Sequence, residues 1–259
     1  MVVGIARAEE FSPNSVRKDR TILEAVISRM YGVVVAEEEA CRQLPEADVY
    51  MNMGRMPETM MLLKQKESTG ALVLNSAYGV ECCQRSRLEL LMRKKHFPMP
   101  AQVGPNGYWL KRGDRAAQTK EDIVFCKDEK ELELAKRKME ERGIEEYTVS
   151  AHVKGDLVKF YGVESVNFFR VFYPGDDGES KFGNEHVNGK PHHFLFHEQD
   201  LQTTAECLSR LVNIPIFGGD AVITADGTFK IIDFNDWPSF SRCVDEAADA
   251  IVKLVMNRQ

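Results

Sequence analysis

The stretch Phe217–Ser241, FGGDAVITADGTFKIIDFNDWPSFS, constrains this chain more than any other. Two apolar runs rich in β-branched residues, Val222–Thr224 and Thr228–Ile232, flank Asp226-Gly227. That dipeptide favours the tight two-residue turn of a β-hairpin. With it as the loop, Ala225 pairs with Thr228, and counting outward sets Asp220 directly opposite Asp233. Asn235, two residues further on, emerges on the same face. Like charges directly opposed destabilise a sheet. At ~4 Å and an intermediate effective dielectric the repulsion is about 4 kcal/mol. A divalent cation turns that cost into attraction, and oxygen-only donors suit Mg²⁺. The same pattern also describes two solvated acids at a sheet edge, or one acid paired with a nearby lysine.

The size and balance of the chain narrow its class. At 259 residues it can bury a sizeable core, as one large domain or two smaller ones. A net charge of −6 argues against a nucleic-acid surface as its main business. No apolar run approaches the ~20 residues of a membrane span, and MVVGIARAEE lacks the basic-then-apolar order of a signal peptide. The six cysteines show no CxxC spacing and read as free thiols of a reducing compartment. The expectation is a cytoplasmic protein acting on a small molecule, with neither nucleic acid nor membrane as partner.

Two halves differ in pattern. Over residues 1–97, short apolar strands (VVGIA, VVVA, DVYMNM, ALVLN) alternate with helical segments, predicting a small parallel α/β layer. GVECCQRSRLELLMRKKH reads as one helix, ended by FPMP. No GxGxxG follows the first strand, so the dinucleotide fingerprint is missing. Over residues 98–259, seven strand-like runs (YWLKRG, DIVFCK, YTVSAHV, DLVKFYGV, VNFFRVFY, AVITA, TFKIIDF) accompany three helical segments, an α+β pattern with antiparallel hairpins. His186, His192, His193 and His197 cluster before the penultimate helix, without a spacing that makes a tetrahedral metal set.

An α/β layer, a helix leading to PMP, a lysine ending a strand, and a terminal Asp…Asp-x-Asn hairpin together resemble the ATP-grasp superfamily. The resemblance covers most of the chain as an order of elements. It implies a small parallel-sheet N-terminal domain (1–97) followed by antiparallel-sheet nucleotide-binding domains (98–259). It implies further that Asp220, Asp233 and Asn235 hold Mg²⁺ on the phosphates of ATP, with Asp233 standing where that family more often has glutamate. By the same resemblance Lys111, ending the strand GYWLKRGD, reaches the phosphates and precedes a covering loop, although RGDRAAQTKED offers only Gly113 where such loops are glycine-rich. Arg85 falls where the family usually has a phosphate-binding lysine. Main-chain groups near Ala151, His152 and Val153 would grip adenine, and Glu145, Glu146 or Asp156 would take the ribose hydroxyls. Lys159 and Arg170 are the candidate catalytic cations, each equally readable as half of a structural ion pair. Arg170 stands out because it interrupts an aromatic strand, where an unpaired charge is costly.

Phosphoryl transfer is mostly positioning plus neutralisation of charge on the transferred oxygens, which these residue types supply. The resemblance implies a carboxylate–amine (or thiol) ligase that activates a carboxylate as an acyl phosphate. A small-molecule kinase on the same fold and a non-catalytic nucleotide-binding protein are the other readings. Asn52 and Arg55, at the end of a strand, are candidates for orienting the substrate carboxylate.

Overall fold

The computed structural model describes residues 1–12, 15–177 and 187–259. Strands β1 (Val2–Ala6), β2 (Val33–Ala36), β3 (Val49–Asn52) and β4 (Leu72–Leu74) form a parallel sheet in the order β2-β1-β3-β4. Both faces of β3 are buried, which is why it reads as an unbroken apolar run. Helices α1 (Val16–Arg29), α2 (Glu37–Ala40) and α3 (Pro57–Ser68) connect these strands. Pro57 begins α3, where its missing N–H costs nothing, and Gly70 at φ +97° follows its end.

The segment expected as one helix is two, α4 (Ala77–Cys82) and α5 (Arg85–Lys94). The break at Cys83-Gln84 puts Arg85 at the head of α5 instead of along the side of a longer helix. Beyond it, β5 (Tyr108–Arg112), β6 (Ile123–Cys126) and β7 (Tyr147–Ala151) form an antiparallel sheet in the order β6-β5-β7. Tyr108, Leu110 and Cys126 pack there against Leu132, Ala135 and Met139 of α6 (Glu129–Glu141).

A third sheet holds β8 (Asp156–Val163), β9 (Phe168–Phe172), β10 (Ile216–Ile223) and β11 (Phe229–Asp236), in the order β11-β10-β8-β9. The short α7 (Pro174–Asp177) follows β9, α8 (Glu198–Val212) precedes β10, and α9 (Val244–Arg258) closes the chain. All seven expected strand runs are strands, and β10 begins earlier than its apolar pattern suggests, taking in Gly218 and Gly219. A Cβ on Gly219 would stand 2.3 Å from the Asp233 carbonyl and 2.5 Å from the Phe160 ring, so close packing excludes a side chain there.

Two of the three apolar clusters draw on both sides of position 98. One joins Tyr50 and Leu63 to Phe160, Leu208 and Phe217. The other joins Ile22 and Val26 to Trp237, Ile251 and Leu254. Buried polar staples reinforce the junction. The Asn75 side chain donates to the Ile216 carbonyl (2.7 Å) and accepts from the Ile216 amide (3.0 Å), imitating a strand rung between the end of β4 and the start of β10. Asn52 donates to the Asn75 carbonyl, and the Trp237 indole to the Leu74 carbonyl. No helix among the described residues is long and apolar enough to cross a membrane.

Asn75 is fully buried, so Asn75→Ala strands a donor and an acceptor without water. The expected loss is about 3 kcal/mol, read as a lowered urea midpoint at unchanged slope. A loss below ~0.5 kcal/mol would show that the staple carries no weight.

Candidate phosphate and metal site

The β10–β11 hairpin reaches the expected opposition of Asp220 and Asp233 by a different route. Its turn is one residue longer than two. The Thr224 amide donates to the Thr228 carbonyl (2.9 Å) and Gly227 sits at φ +79°, making Ala225-Asp226-Gly227 a three-residue loop with glycine at its left-handed position. Pairing therefore starts one step out of the expected register, with Ile223 opposite Phe229 and Ala221 opposite Ile231. A β-bulge between Asp220 and Ala221 then gives β11 one extra residue, Ile232, and restores Asp220 opposite Asp233. The two departures cancel.

The bulge also has a chemical consequence. The Ile232 carbonyl accepts a hydrogen bond from Lys111 Nζ at 2.9 Å, bringing the end of β5 onto the hairpin. Arg85 at the head of α5 donates to the Arg112 carbonyl (2.9 Å) and lies 3.4 Å from Asp233. Lys159, cross-strand neighbour of Asp220, pairs with it at 2.8 Å. Asn235 Nδ2 donates to Asp233 at 3.3 Å. Arg85, Lys111 and Lys159 thus converge on the two carboxylates from α5, β5 and β8, together with the amide of Asn235.

Charge sets the protonation states. Burial works to raise the Asp233 carboxyl, but Arg85 and Lys111 outweigh it and hold the group down at about 2. Burial pushes the Lys111 ammonium below the usual lysine range; Asp233 partly offsets this and Arg85 adds to it. Among the described residues no three of His, Cys, Asp and Glu gather into an all-protein metal cage. Two carboxylates and an amide oxygen nevertheless fit Mg²⁺, which keeps several water or phosphate oxygens in its shell. Three cations against two carboxylates leave an excess of positive charge suited to a polyphosphate.

The other candidates disperse. Arg170 pairs with Glu246 at the start of α9 (2.6 Å), both partly exposed. Strand β9 is the sheet edge, so the charge in its aromatic run meets solvent and an acid and does not reach the carboxylates. Asp156 is buried and fully engaged, accepting the amides of His192 (2.7 Å) and Phe194 (2.8 Å). Glu146 stands before β7, beside Gln84 and Gly113, whereas Ala151–Val153 lie at its far end, ~16 Å or more along an extended strand. One residue cannot serve the ribose of a nucleotide whose base is at the other end. The Ala151 and His152 amides donate to the Ala101 and Gly107 carbonyls, and the Val153 carbonyl accepts from Asn188. Those main-chain groups are already engaged. Arg55 forms a two-pronged pair with buried Asp236, and Asn52 is committed to its staple. Of the histidine run, His193 pairs with Asp176 (3.2 Å), His192 stacks on Phe194, and His186 lies outside the described residues.

Sequence reasoning missed one group. Trp109 lies two residues before Lys111 on the same face of β5, opposite Phe125 of β6. Trp109, Phe125 and His152 form an aromatic cluster with centroids 5.2–6.2 Å apart. The signal was the alternation in YWLKRG, which puts Trp109 and Lys111 side by side.

No protein-family model matches the sequence, and a search of curated proteins finds no relative. Solved structures do match. A D-alanyl-alanine synthetase A from Vibrio cholerae superposes with a TM-score of 0.68 at 9% identity, covering 99% of this chain and 97% of that one. A RimK domain ATP-grasp protein from Sphaerobacter thermophilus gives 0.64 at 14% identity, covering 98% of each chain. The ATP-grasp ligase PsnB, complexed with a minimal precursor, Mg and ADP, gives 0.58 at 11% identity and 97% of each. The chain has the ATP-grasp fold. Within this fold the acidic hairpin, Lys111 and Arg85 are brought together from three separate elements.

Since the Asp233 carboxyl is depressed from 3.8 to about 2, its ionised form contributes stability that is present above pH ~4 and lost as the pH falls through 2. Arg85→Met is expected to raise the Asp233 midpoint, followed by carboxyl-carbon NMR, and to shallow the loss of stability between pH 4 and 2. An unmoved midpoint would remove Arg85 as its counter-ion.

Proposed function

We propose that this ATP-grasp protein is an ATP- and Mg²⁺-dependent ligase, which activates a small-molecule carboxylate as an acyl phosphate for attack by an amine. The observation that carries the reading is the opposition of Asp220 and Asp233 beneath Arg85, Lys111 and Lys159. The solved structures it resembles include ligases named for D-alanine and for a precursor peptide, which favours carbon–nitrogen over carbon–sulfur bond formation.

In this reaction a substrate carboxylate oxygen attacks the terminal phosphorus of ATP, and the bond to ADP breaks. The amine then attacks the acyl carbon, loses a proton, and inorganic phosphate leaves. Both steps move negative charge among phosphate oxygens, so fixed positive charge is what the protein must supply. Arg85, Lys111 and Lys159 would supply it from fixed positions, each now held by a carboxylate or a carbonyl that it would exchange for phosphate oxygens. Asp220, Asp233 and Asn235 would hold Mg²⁺, whose chemistry is further neutralisation of the phosphates. No protein nucleophile is needed.

A cavity in the N-terminal sheet supports a site for the acceptor. Its volume is about 160 Å³ and it opens at the carboxyl ends of β1, β2 and β3, lined by Ala6, Arg7, Asp19, Ala36 and Met53 among others. Parallel α/β sheets bind ligands at that end. Arg7 reaches from it to within 3.4 Å of the Trp237 carbonyl, four residues beyond Asp233.

The direct test is ATP affinity by calorimetry, with and without Mg²⁺, for wild type and Asp233→Ala. Wild-type binding is expected to tighten at least about tenfold with Mg²⁺, and the variant to lose most of that gain; equal magnesium dependence in both would remove the assignment. An ADP-release screen then separates the readings. A ligase releases ADP when a carboxylate and an amine are both present, a kinase responds to a hydroxyl acceptor, and a pure binding protein to neither.

A further inference from the structure

His152 is 8% exposed and follows β7 where it passes the aromatic face of the β6-β5-β7 sheet. Trp109 Nε1 donates to His152 Nδ1 at 3.1 Å. An indole N–H is only a donor, so Nδ1 must be the acceptor and the imidazole proton must sit on Nε2. Burial, with Lys154 adding to it, pushes the imidazole below its usual range, consistent with a neutral ring. His152 also packs edge-on against Phe125, centroids 5.3 Å apart, fixing the plane of the ring.

The Nε2–H is left to act. Among the described residues the buried polar side-chain atoms without a partner are Thr59 Oγ1, Glu67 Oε2 and Ser86 Oγ. Among the described residues His152 Nε2 makes no hydrogen bond and is not one of these sealed atoms, so it keeps some exposure. Lys111 occupies the same face of β5, two residues from Trp109, and it anchors the phosphate end of the site. The aromatic cluster therefore lies on the same face of the sheet as Lys111, two residues along β5, where a base extending from phosphates at Lys111 would reach it. Of the neighbouring main chain, the Ala151 and His152 amides and the Val153 carbonyl are already bonded.

We propose that His152 is the residue that reads the purine, its Nε2–H donating to a ring-nitrogen acceptor on the base edge while Trp109 locks the tautomer. The assignment rests on the nucleotide reading of the site and adds to it a side chain that sets base specificity. A histidine free to choose its tautomer would present a donor or an acceptor; bonded to the indole, this one presents only the donor.

Binding of ATP and of its 1-deaza, 3-deaza and 7-deaza analogues, each lacking one ring-nitrogen acceptor, provides the test. Wild type is expected to bind one analogue about tenfold more weakly than ATP, the size of one well-made hydrogen bond. His152→Phe, which keeps a ring against Phe125, should lose about the same factor with ATP and distinguish none of the analogues further. Trp109→Phe should keep the aromatic surface, weaken ATP binding, and shift the His152 ring-nitrogen NMR signals from the Nε2–H form toward a mixture. Equal wild-type affinity for ATP and all three analogues would overturn the proposal. So would retained selectivity in His152→Phe, or an Nδ1–H imidazole in the wild type. Wild type that binds ATP but shows no selectivity among the analogues sinks this assignment alone. Failure of wild type to bind any of the four nucleotides sinks the nucleotide reading and this assignment with it.

Discussion

Everything in the site depends on the opposition of Asp220 and Asp233 across one strand pair. Two carboxylates on adjacent strands repel, and within their own hairpin the neutral amide of Asn235, donating to Asp233, offsets this only in part. Relief comes from Lys159 on the next strand, Arg85 at the head of a helix, and Lys111 on a different sheet. The fold thereby makes an electrostatic demand in one element that only other elements can meet. The demand runs both ways. Lys111 is buried deeply enough to depress its ammonium, and Asp233 helps to keep it charged. In the structure these groups serve as one another's counter-ions. Under the proposed function a polyphosphate with a divalent cation would exchange these partners, the cation taking the carboxylates and the phosphates taking the basic groups.

That exchange needs a frame that stays still while the partners change. The N-terminal sheet is joined to the hairpin by directional polar contacts as well as apolar packing. Asn75 grips both main-chain groups of Ile216, Trp237 reaches Leu74, and Arg55 closes on buried Asp236. Asp236 lies three residues beyond Asp233 on the same strand, so β11 is held on both sides of its acidic segment. The Arg55–Asp236 pair adds little net stability, since burying it also costs desolvation. What it contributes is register, because a slipped β11 would leave a charge buried and unpaired. The residues suited by sequence to orient a substrate carboxylate, Asn52 and Arg55, are instead what hold the two sheets at a fixed spacing.

The extent to which the sequence disclosed this site follows from the range of the forces involved. Period-two alternation and turn chemistry are local, so all seven strands of the second half were legible, as was the acid-bearing face of the hairpin. Bulge and turn were not. A three-residue loop and a compensating bulge give the same Asp220–Asp233 pairing as a two-residue loop with none. Only the carbonyl of Ile232, turned toward Lys111, distinguishes the two. The break between α4 and α5 carries no proline or glycine at Cys83-Gln84, and tertiary contacts decide it: the Gln84 side chain donates to the Asp114 carbonyl and the Ser86 amide to that of Gly113. Arg170 misled because a charge in an aromatic strand signals a partner without saying whether the strand is central or at an edge. Trp109 and His152 are far apart in sequence, and a lone indole–imidazole contact leaves no pattern in it.

The loop after Lys111 shows how the chain manages with a single glycine. The carbonyls of Arg112, Gly113 and Asp114 accept in turn from Arg85, the Ser86 amide and Gln84, so the head of α5 is tied to the loop residue by residue. Gly113 is required sterically, since a Cβ there would stand 1.9 Å from Ser86 Oγ. Several loop amides are engaged as well, that of Gly113 donating to the Glu146 carbonyl (2.8 Å) and those of Gln118 and Thr119 to the Asp122 carboxylate. With the loop in place, Arg85 reaches Asp233 and Lys111 reaches the Ile232 carbonyl beside it. A latched, glycine-poor loop and a cluster of three cations are therefore two aspects of one arrangement, in which the helix that carries part of the charge also holds the loop; under the proposed function that charge would stand in for an amide cradle.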